Sequence, residues 1–160
     1  MSRNHVDRVV SMRRVLDAPC EKVFAALTRP DMLRHWMCPA GFSVPAVETD
    51  LRVGGRFRIE MRAPGGAPCS PEGAVYTATG IYQEIRAPEL LVYTWTWEPG
   101  HTMAGVETVI RVELSAQGSK TLLVMTHSGL PNEAERAGHE QGWSGAYDKL
   151  VALFTQRSDP

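Results

Sequence analysis

Residues 90–97 read LLVYTWTW and carry the clearest strand pattern in this 160-residue chain. Successive side chains of a β-strand point to opposite faces, so every second residue lies on the same side. One side of this strand is therefore an apolar and largely aromatic wall, formed by Leu91, Tyr93, Trp95 and Trp97. Such a wall either fills a packed core or lines a cavity that holds a small molecule.

The segments around this strand continue the alternation, from about residue 44 to residue 127. RFRIEMR (56–62) and TLLVMTH (121–127) each present one face, formed by Phe57, Ile59 and Met61 and by Thr121, Leu123, Met125 and His127. VETVIRVEL (106–114) predicts a strand that begins at Val106, and Gly80 indicates a bulge in the strand AVYTATGIYQEI. With a first strand at 8–16 and only short turns, the pattern predicts an antiparallel sheet of about six or seven strands.

Helices are predicted at both ends of the chain. DAPCEKVFAALT (17–28) has Asp17 as a candidate cap upstream of Pro19, and RPDMLRHW (29–36) predicts a second short helix. Asn132 and Glu135 have the spacing of a capping box, and they precede one apolar helical stripe, formed by Trp143, Tyr147, Leu150 and Phe154. Helices segregated from the sheet predict an α+β fold in a single domain over residues 1–160, with a core from about 8 to 154.

The composition excludes several classes of protein. The formal net charge is −1, and hydrophobic and charged residues make up 43% and 22% of the chain. This balance predicts no nucleic-acid partner and no anionic membrane surface. We find no secretory signal and no apolar run of about 20 residues, so we expect a cytoplasmic protein without membrane insertion. Cys20, Cys38 and Cys69 are widely spaced and predict free thiols.

Motifs that carry catalysis do not occur in the sequence, which has no GxSxG, HExxH, phosphate-binding or dinucleotide-binding pattern. The five histidines form no pair at metal-ligand spacing, so neither a metal nor another cofactor is expected. A binding protein is therefore favoured over an enzyme. The exception involves Arg58, Glu60 and Arg62. If the strand register slipped by one residue at Gly55, these side chains would face inward and could bind a polar head group or do acid–base chemistry.

Five successive blocks resemble one known family: APCEKVFAALTRPDMLRHW, DLRVGGRFRIEM, ELLVYTWTW, TLLVMTHSGLP and GWSGAYDKL. They are similar to blocks of the homologues of the activator of the ninety-kilodalton heat-shock chaperone's ATPase, an AHSA-type family of the START-like (SRPBCC, Bet v-like) superfamily. The resemblance runs from roughly Arg8 to Phe154. It implies a helix-grip fold, in which a curved antiparallel sheet wraps the long C-terminal helix and leaves a hydrophobic cavity for apolar molecules.

The side chains predicted to face the space between sheet and helix are rich in Tyr and Trp. These carry polar atoms that need partners when buried, so several together favour a ligand cavity. The predicted ligand-binding residues are Trp36, Phe57, Ile59, Met61, Tyr93, Trp95, Trp97, Leu123, Met125, His127, Trp143 and Tyr147. Among them, a neutral His127 would orient a ligand carbonyl or hydroxyl; the alternative is a histidine satisfied by a backbone carbonyl or a Tyr hydroxyl.

Three glycines, Gly138, Gly142 and Gly145, form a bare stripe on the predicted C-terminal helix. Each helical Gly costs about 1 kcal/mol relative to Ala, so something in the fold offsets the three costs. The stripe either leaves volume for a ligand or allows close packing or a bend of the helix. The sequence leaves these interpretations open.

The preferred functional prediction is binding of an apolar or aromatic small molecule in the cavity. A small-molecule enzyme of the cyclase, hydratase or hydrolase type would use the same cavity. A stress-response module associated with a chaperone would use the outer face of the sheet instead. Paired edge strands or exposed aromatic residues would also allow a homodimer.

Overall fold

The structure, a computed structural model, describes residues 8–64 and 73–155. The elements are β1 (Val10–Leu16), α1 (Cys20–Thr28), α2 (Pro30–Leu33), β2 (Ser43–Thr49), β3 (Arg56–Arg62), β4 (Val75–Arg86), β5 (Leu90–Trp97), β6 (Thr108–Gln117), β7 (Lys120–Ser128) and α3 (Glu133–Thr155). The strands form one antiparallel sheet in the order β1-β7-β6-β5-β4-β3-β2, and the sheet curls around α3. The predicted α+β helix-grip fold is confirmed. Cys20 and Cys38 are free thiols, and Cys69 lies outside the described residues.

The faces of the strands follow the predicted alternation. On β3, the apolar residues Phe57, Ile59 and Met61 are buried. The outer face carries a salt bridge of 2.7 Å between Nη1 of Arg58 and Oε2 of Glu60. The strand register therefore does not slip at Gly55, Arg62 is exposed with the other charged side chains, and the inward-facing alternative is wrong.

Two predicted element starts are wrong. The N-cap residue of α1 is Pro19, whose backbone is extended and receives no side-chain cap hydrogen bond, so Asp17 does not cap the helix. The strand β6 begins at Thr108, and Val106 lies in the preceding loop with 36% of its surface exposed. In both cases the sequence pattern reaches further towards the N-terminus than the helix or strand itself.

Gly80 does not form a bulge; it allows β4 to lie close to Phe57 of β3 and Thr94 of β5. β4 pairs with β3 without interruption at this position, and its irregularity lies between Tyr82 and Glu84. A Cβ atom at Gly80 would lie 2.0 Å from the carbonyl oxygen of Thr94 and 2.3 Å from the ring of Phe57. Glycine is therefore required here because the Phe57 ring covers the strand.

The long helix α3 begins at the predicted cap. Oδ1 of Asn132 accepts a hydrogen bond from the backbone N–H of Glu135 at 2.9 Å. The predicted stripe faces the sheet, with Trp143, Tyr147 and Leu150 buried and Phe154 half-buried. α3 thus closes the concave side of the sheet. None of the helices in the described part of the chain is long and apolar enough to cross a membrane.

Candidate functional site

A cavity of about 530 Å³ lies between the concave face of the sheet and α3. Its sheet wall consists of Met61, Tyr76, Trp95 and Trp97. Its helix wall consists of Glu135, Gly138, His139, Gly142, Trp143 and Ala146. The volume falls within the range of roughly 300–1,000 Å³ that is typical of small-molecule sites.

Two further segments complete the lining. The segment after α2 closes one side with Met37, Cys38, Pro39 and Phe42. The loop between β5 and β6 borders the opening with Gly100, His101 and Thr102. Because Gly100, Thr102 and Gly138 are exposed, the cavity opens to solvent between this loop and the first turns of α3.

The predicted ligand-binding residues divide between cavity and core. Four of them line the cavity: Met61, Trp95, Trp97 and Trp143. The other eight are buried in the packed core and do not line it: Trp36, Phe57, Ile59, Tyr93, Leu123, Met125, His127 and Tyr147. On β5, Tyr93 packs against Phe57 with ring centroids 5.1 Å apart, whereas the next two alternate residues border the cavity. The aromatic wall is therefore core at one end and cavity lining at the other.

His127 is held by protein groups on both ring nitrogens. Nε1 of Trp143 donates to Nδ1 of His127 at 3.0 Å, so the proton of the neutral ring is on Nε2, which lies 2.7 Å from Oγ1 of Thr108. Thr108 in turn donates to the carbonyl oxygen of Trp95 at 2.8 Å. Burial, together with the neighbouring His139, lowers the pKa of His127 to about 3. A ring satisfied in this way orients Trp143 and leaves no nitrogen for a ligand.

His139 orients the indole of Trp97 in the same way as His127 orients that of Trp143. Nε1 of Trp97 donates to Nε2 of His139 at 3.0 Å, and Nδ1 of His139 lies 2.8 Å from the carbonyl oxygen of Glu135. Since a carbonyl only accepts, Nδ1 carries the proton of the neutral ring. Burial lowers the pKa of His139 and outweighs the opposing effect of Glu135. Two of the three indoles at the cavity are thus fixed by neutral histidines.

At the opening, the lining includes His101 of the loop and Glu135 of α3. The His101 ring stacks on Trp97, with centroids 4.2 Å apart and an interplanar angle of 1°. Its Nδ1 accepts a hydrogen bond from the backbone N–H of Met103 at 2.9 Å, and burial lowers its pKa to about 4. Oε2 of Glu135 accepts a hydrogen bond of 2.5 Å from Thr102, so the capping box is only half formed.

The third indole, Trp95, has an unsatisfied polar atom. Trp95 is 1% exposed, and its ring centroid lies 5.4 Å from that of Trp97 and 5.1 Å from that of Trp143. Among the described residues, its Nε1 has no hydrogen-bond partner, and the same holds for the hydroxyl of Tyr147, which lies in the core. Buried polar groups are almost always paired, so the Trp95 N–H is an unsatisfied donor on a side chain that also lines the cavity.

The glycine stripe of α3 serves two purposes. A Cβ atom at Gly138 would meet nothing within 4 Å, and one at Gly142 would meet only Cγ of Pro39 at 3.6 Å. A Cβ atom at Gly145 would lie 2.9 Å from the backbone nitrogen of Ala40. The first two glycines therefore leave volume in the cavity, and the third allows close packing of the helix.

Several lining residues are absent from the sequence-based prediction. His101 lies in a loop, where no periodicity indicates which side chains turn inward. His139 and Glu135 lie at i−4 and i−8 from Trp143 on α3, so an extension of the apolar stripe towards the N-terminus would have found both. The segment after α2, from Met37 to Phe42, has no regular structure and gives no comparable signal.

Residues 17–155 match the family model described as Activator of Hsp90 ATPase homolog 1-like protein. The match includes every residue that lines the cavity. The chain belongs to this family. The resemblance found in the five sequence blocks is confirmed, and the helix-grip fold of this family member is compatible with a ligand-binding cavity.

Solved structures share the fold of this family member. A protein of Chromobacterium violaceum is 26% identical, with a TM-score of 0.78 over 91% of this chain and 96% of its own. The AHSA1 protein of Silicibacter pomeroyi is 23% identical, with a TM-score of 0.78 over 94% and 99%. A protein of Arthrobacter aurescens is 19% identical, with a TM-score of 0.79 over 94% and 88%, and at such identities the likeness concerns the fold alone. Comparison with curated proteins finds no match.

Few titratable side chains line the cavity of this family member. Among the described lining residues are one carboxylate, that of Glu135, and the histidines His101 and His139, whose pKa values are lowered by burial. Within residues 8–64 and 73–155, no group of three or more His, Cys, Asp or Glu side chains is placed to hold a metal ion. The arrangement presents the indoles of Trp95, Trp97 and Trp143 as an aromatic wall of the cavity.

Proposed function

We propose that this protein binds an apolar or aromatic small molecule in the cavity between the sheet and α3. The observation that carries the proposal is the cavity of about 530 Å³, which opens to solvent and is lined by Trp95, Trp97 and Trp143. A buried donor without a partner costs about 1–3 kcal/mol. The Nε1 of Trp95 is such a donor among the described residues, and a ligand oxygen that reached it after a small turn of the indole would remove the cost.

The remaining affinity comes from apolar contact. Trp97 and Trp143 pack edge to face with Trp95, so the three indoles form fixed walls for a planar ring. Burial of apolar surface contributes about 25 cal/mol per Å², so a bicyclic ring that buries about 200 Å² gains roughly 5 kcal/mol before the cost of association. The open volume beside Gly138 and Gly142 provides the space for such a ring.

Thermal unfolding in the presence of an uncharged aromatic alcohol tests the proposal. A ligand that binds only the folded protein, at about ten times its Kd, adds about 1.4 kcal/mol of stability, which raises Tm by roughly 3–6 °C for a chain of this length. We expect naphthylethanol to raise Tm by this amount in a saturable manner, as followed by circular dichroism. If no uncharged aromatic compound of one to three rings raises Tm, the proposal fails.

An enzyme that uses the same cavity is the second candidate, in keeping with the single carboxylate at its opening. The histidines oppose general acid–base catalysis near neutral pH, because burial lowers the pKa of His101 to about 4 and also lowers that of His139. Turnover of a bound compound, detected by mass spectrometry after incubation with the protein, would favour this candidate over simple binding.

A chaperone-associated role is the third candidate, and it rests on the family description, which names an activator of the Hsp90 ATPase. Such a role would use the outer surface of the sheet and would not need the cavity. Co-purification with the chaperone and stimulation of its ATPase would support it. Formation of a homodimer, in the cytoplasm or elsewhere, stays a prediction that size-exclusion chromatography with light scattering can check.

A further inference from the structure

The charge of the cavity is concentrated on one residue, Glu135. Among the described residues that line the cavity, Glu135 carries the one carboxylate and there is no Lys or Arg. His101 and His139 are neutral near pH 7, because burial lowers both pKa values, that of His101 to about 4. Lys149 does not line the cavity, and its Nζ donates to Sγ of Cys38 at 3.0 Å and to the carbonyl oxygen of Pro39 at 3.2 Å.

The carboxylate of Glu135 is held in place without a matching cation. Its Oε2 accepts a hydrogen bond from Thr102, and its Oε1 lies 3.8 Å from Nδ1 of the neutral His139. No Lys or Arg of the described chain forms a salt bridge with it. By contrast, the neighbouring acidic residues Glu133 and Glu140 of α3 both form salt bridges with Arg136, with N–O distances of 2.9 and 2.6 Å. Glu135 is therefore the acidic residue of this turn that remains available to a ligand.

Aromatic rings line the same cavity as this carboxylate. The His101 ring stacks on Trp97 at 4.2 Å and meets Tyr76 edge to face at 6.0 Å. Trp97 lies 5.4 Å from Trp95, whose N–H has no partner. A cation at the opening would thus meet both a carboxylate and the electron-rich rings that favour cations, while it stays partly hydrated.

We propose that the cavity selects a protonated aromatic amine, with its ring against the indoles of Trp95 and Trp143 and its ammonium group at Glu135. This inference rests on the proposed function and adds to it the charge of the ligand. Aromatic carboxylates and sulfonates are disfavoured, because their charge would meet the unpaired Glu135 carboxylate. Neutral aromatic molecules bind with intermediate affinity.

Three compounds that share a ring and differ in charge test the proposal: naphthylethylamine, naphthylethanol and naphthylacetate. We measure their Kd values for the whole chain by isothermal titration calorimetry at neutral pH and low ionic strength, where screening is weak. The amine is expected to bind about fivefold more tightly than the alcohol, and the acetate about fivefold more weakly, as for a partly exposed ion pair and its like-charge counterpart. In Glu135→Gln the three Kd values should agree within about twofold, because the charge that separates them is gone.

Glu140→Gln is the matched control, because it removes the same charge from the same helix at a residue that does not line the cavity. It should preserve the order amine, alcohol, acetate. Equal binding of the three compounds to the wild type, tighter binding of the acetate, or an order that persists in Glu135→Gln would overturn the inference and leave the proposed function standing. Failure of all three compounds to bind would overturn both.

Discussion

Replacing Gly80 with alanine is expected to lower the free energy of unfolding by about 3 kcal/mol or more, as overpacking of a core does when the backbone cannot move. The added methyl group would lie 2.0 Å from the carbonyl oxygen of Thr94 and 2.3 Å from Cε2 of Phe57. The Phe57 ring cannot turn away freely, since it packs on Tyr93 and Trp95 with centroids 5.1 and 5.7 Å apart. Separation of β4 from β5 is the remaining way to relieve the contact.

Urea unfolding followed by tryptophan fluorescence measures this loss. Thr79→Ala is the control, because Thr79 is the neighbouring residue on the opposite face of β4, where removal of a partly exposed side chain should change stability by less than about 1 kcal/mol. A Gly80→Ala variant within about 1 kcal/mol of the wild type would show that the ring does not cover the strand as described.

The second large effect is expected for His127→Leu. The substitution leaves the buried indole N–H of Trp143 without its acceptor, whereas the hydroxyl of Thr108 keeps its hydrogen bond to the carbonyl oxygen of Trp95. An unsatisfied buried donor costs about 1–3 kcal/mol, so we expect a loss of about 2 kcal/mol near pH 7. His127→Asn, whose side-chain oxygen can accept from Trp143, should recover part of this loss in the same urea experiment. Equal stability of the leucine and wild-type proteins would contradict the described hydrogen bonds.

His127 also makes the stability of the protein depend on pH, so that the protein is less stable at acidic pH. The pKa of His127 is about 3 in the folded protein and 6.5 without the fold, so in between the unfolded chain binds more protons. The contribution of His127 to the free energy of unfolding is nearly complete above about pH 6.5. It decreases as the pH falls, and at pH 5 it is lower by roughly 2 kcal/mol. His127→Leu should lose this part of the slope. Wild-type stability that does not change between these pH values would contradict a buried neutral histidine.

The fold could be predicted from the sequence because its main determinants are local and periodic. Alternation on β3, β5 and β7 places apolar residues on one face, and a register error would turn each set to solvent. The incorrect predictions concern the starts of α1 and β6 and the role of Gly80. Pro19 has an extended backbone that starts α1 later than Asp17 suggests, and Gly80 responds to the ring of Phe57 on the neighbouring strand, which is visible only in three dimensions.

The candidate site could be predicted only in part. The alternation shows which residues share a face of a strand, but it does not show which of them are covered by the core and which border a cavity. Tyr93 and Trp95 are equivalent in the pattern of β5, yet the first is covered by Phe57 and the second borders the cavity. The histidine at 127 was expected to point inward and does so, but its partners, Thr108 and Trp143, come from other elements. The loop that carries His101 has no periodic signal at all.

Binding of naphthylethanol to variants of Gly142 tests the central claim most directly. The Cβ atom of Gly142→Ala would meet only Pro39 at 3.6 Å, an ordinary contact, whereas the longer side chain of Gly142→Leu would extend into the cavity. We expect calorimetric titration to give one site on the wild type, a Kd within about threefold for the alanine variant, and at least about tenfold weaker binding for the leucine variant, with Tm retained in both. Unchanged affinity of the leucine variant, or no binding to the wild type, would contradict a ligand-binding cavity between the sheet and α3.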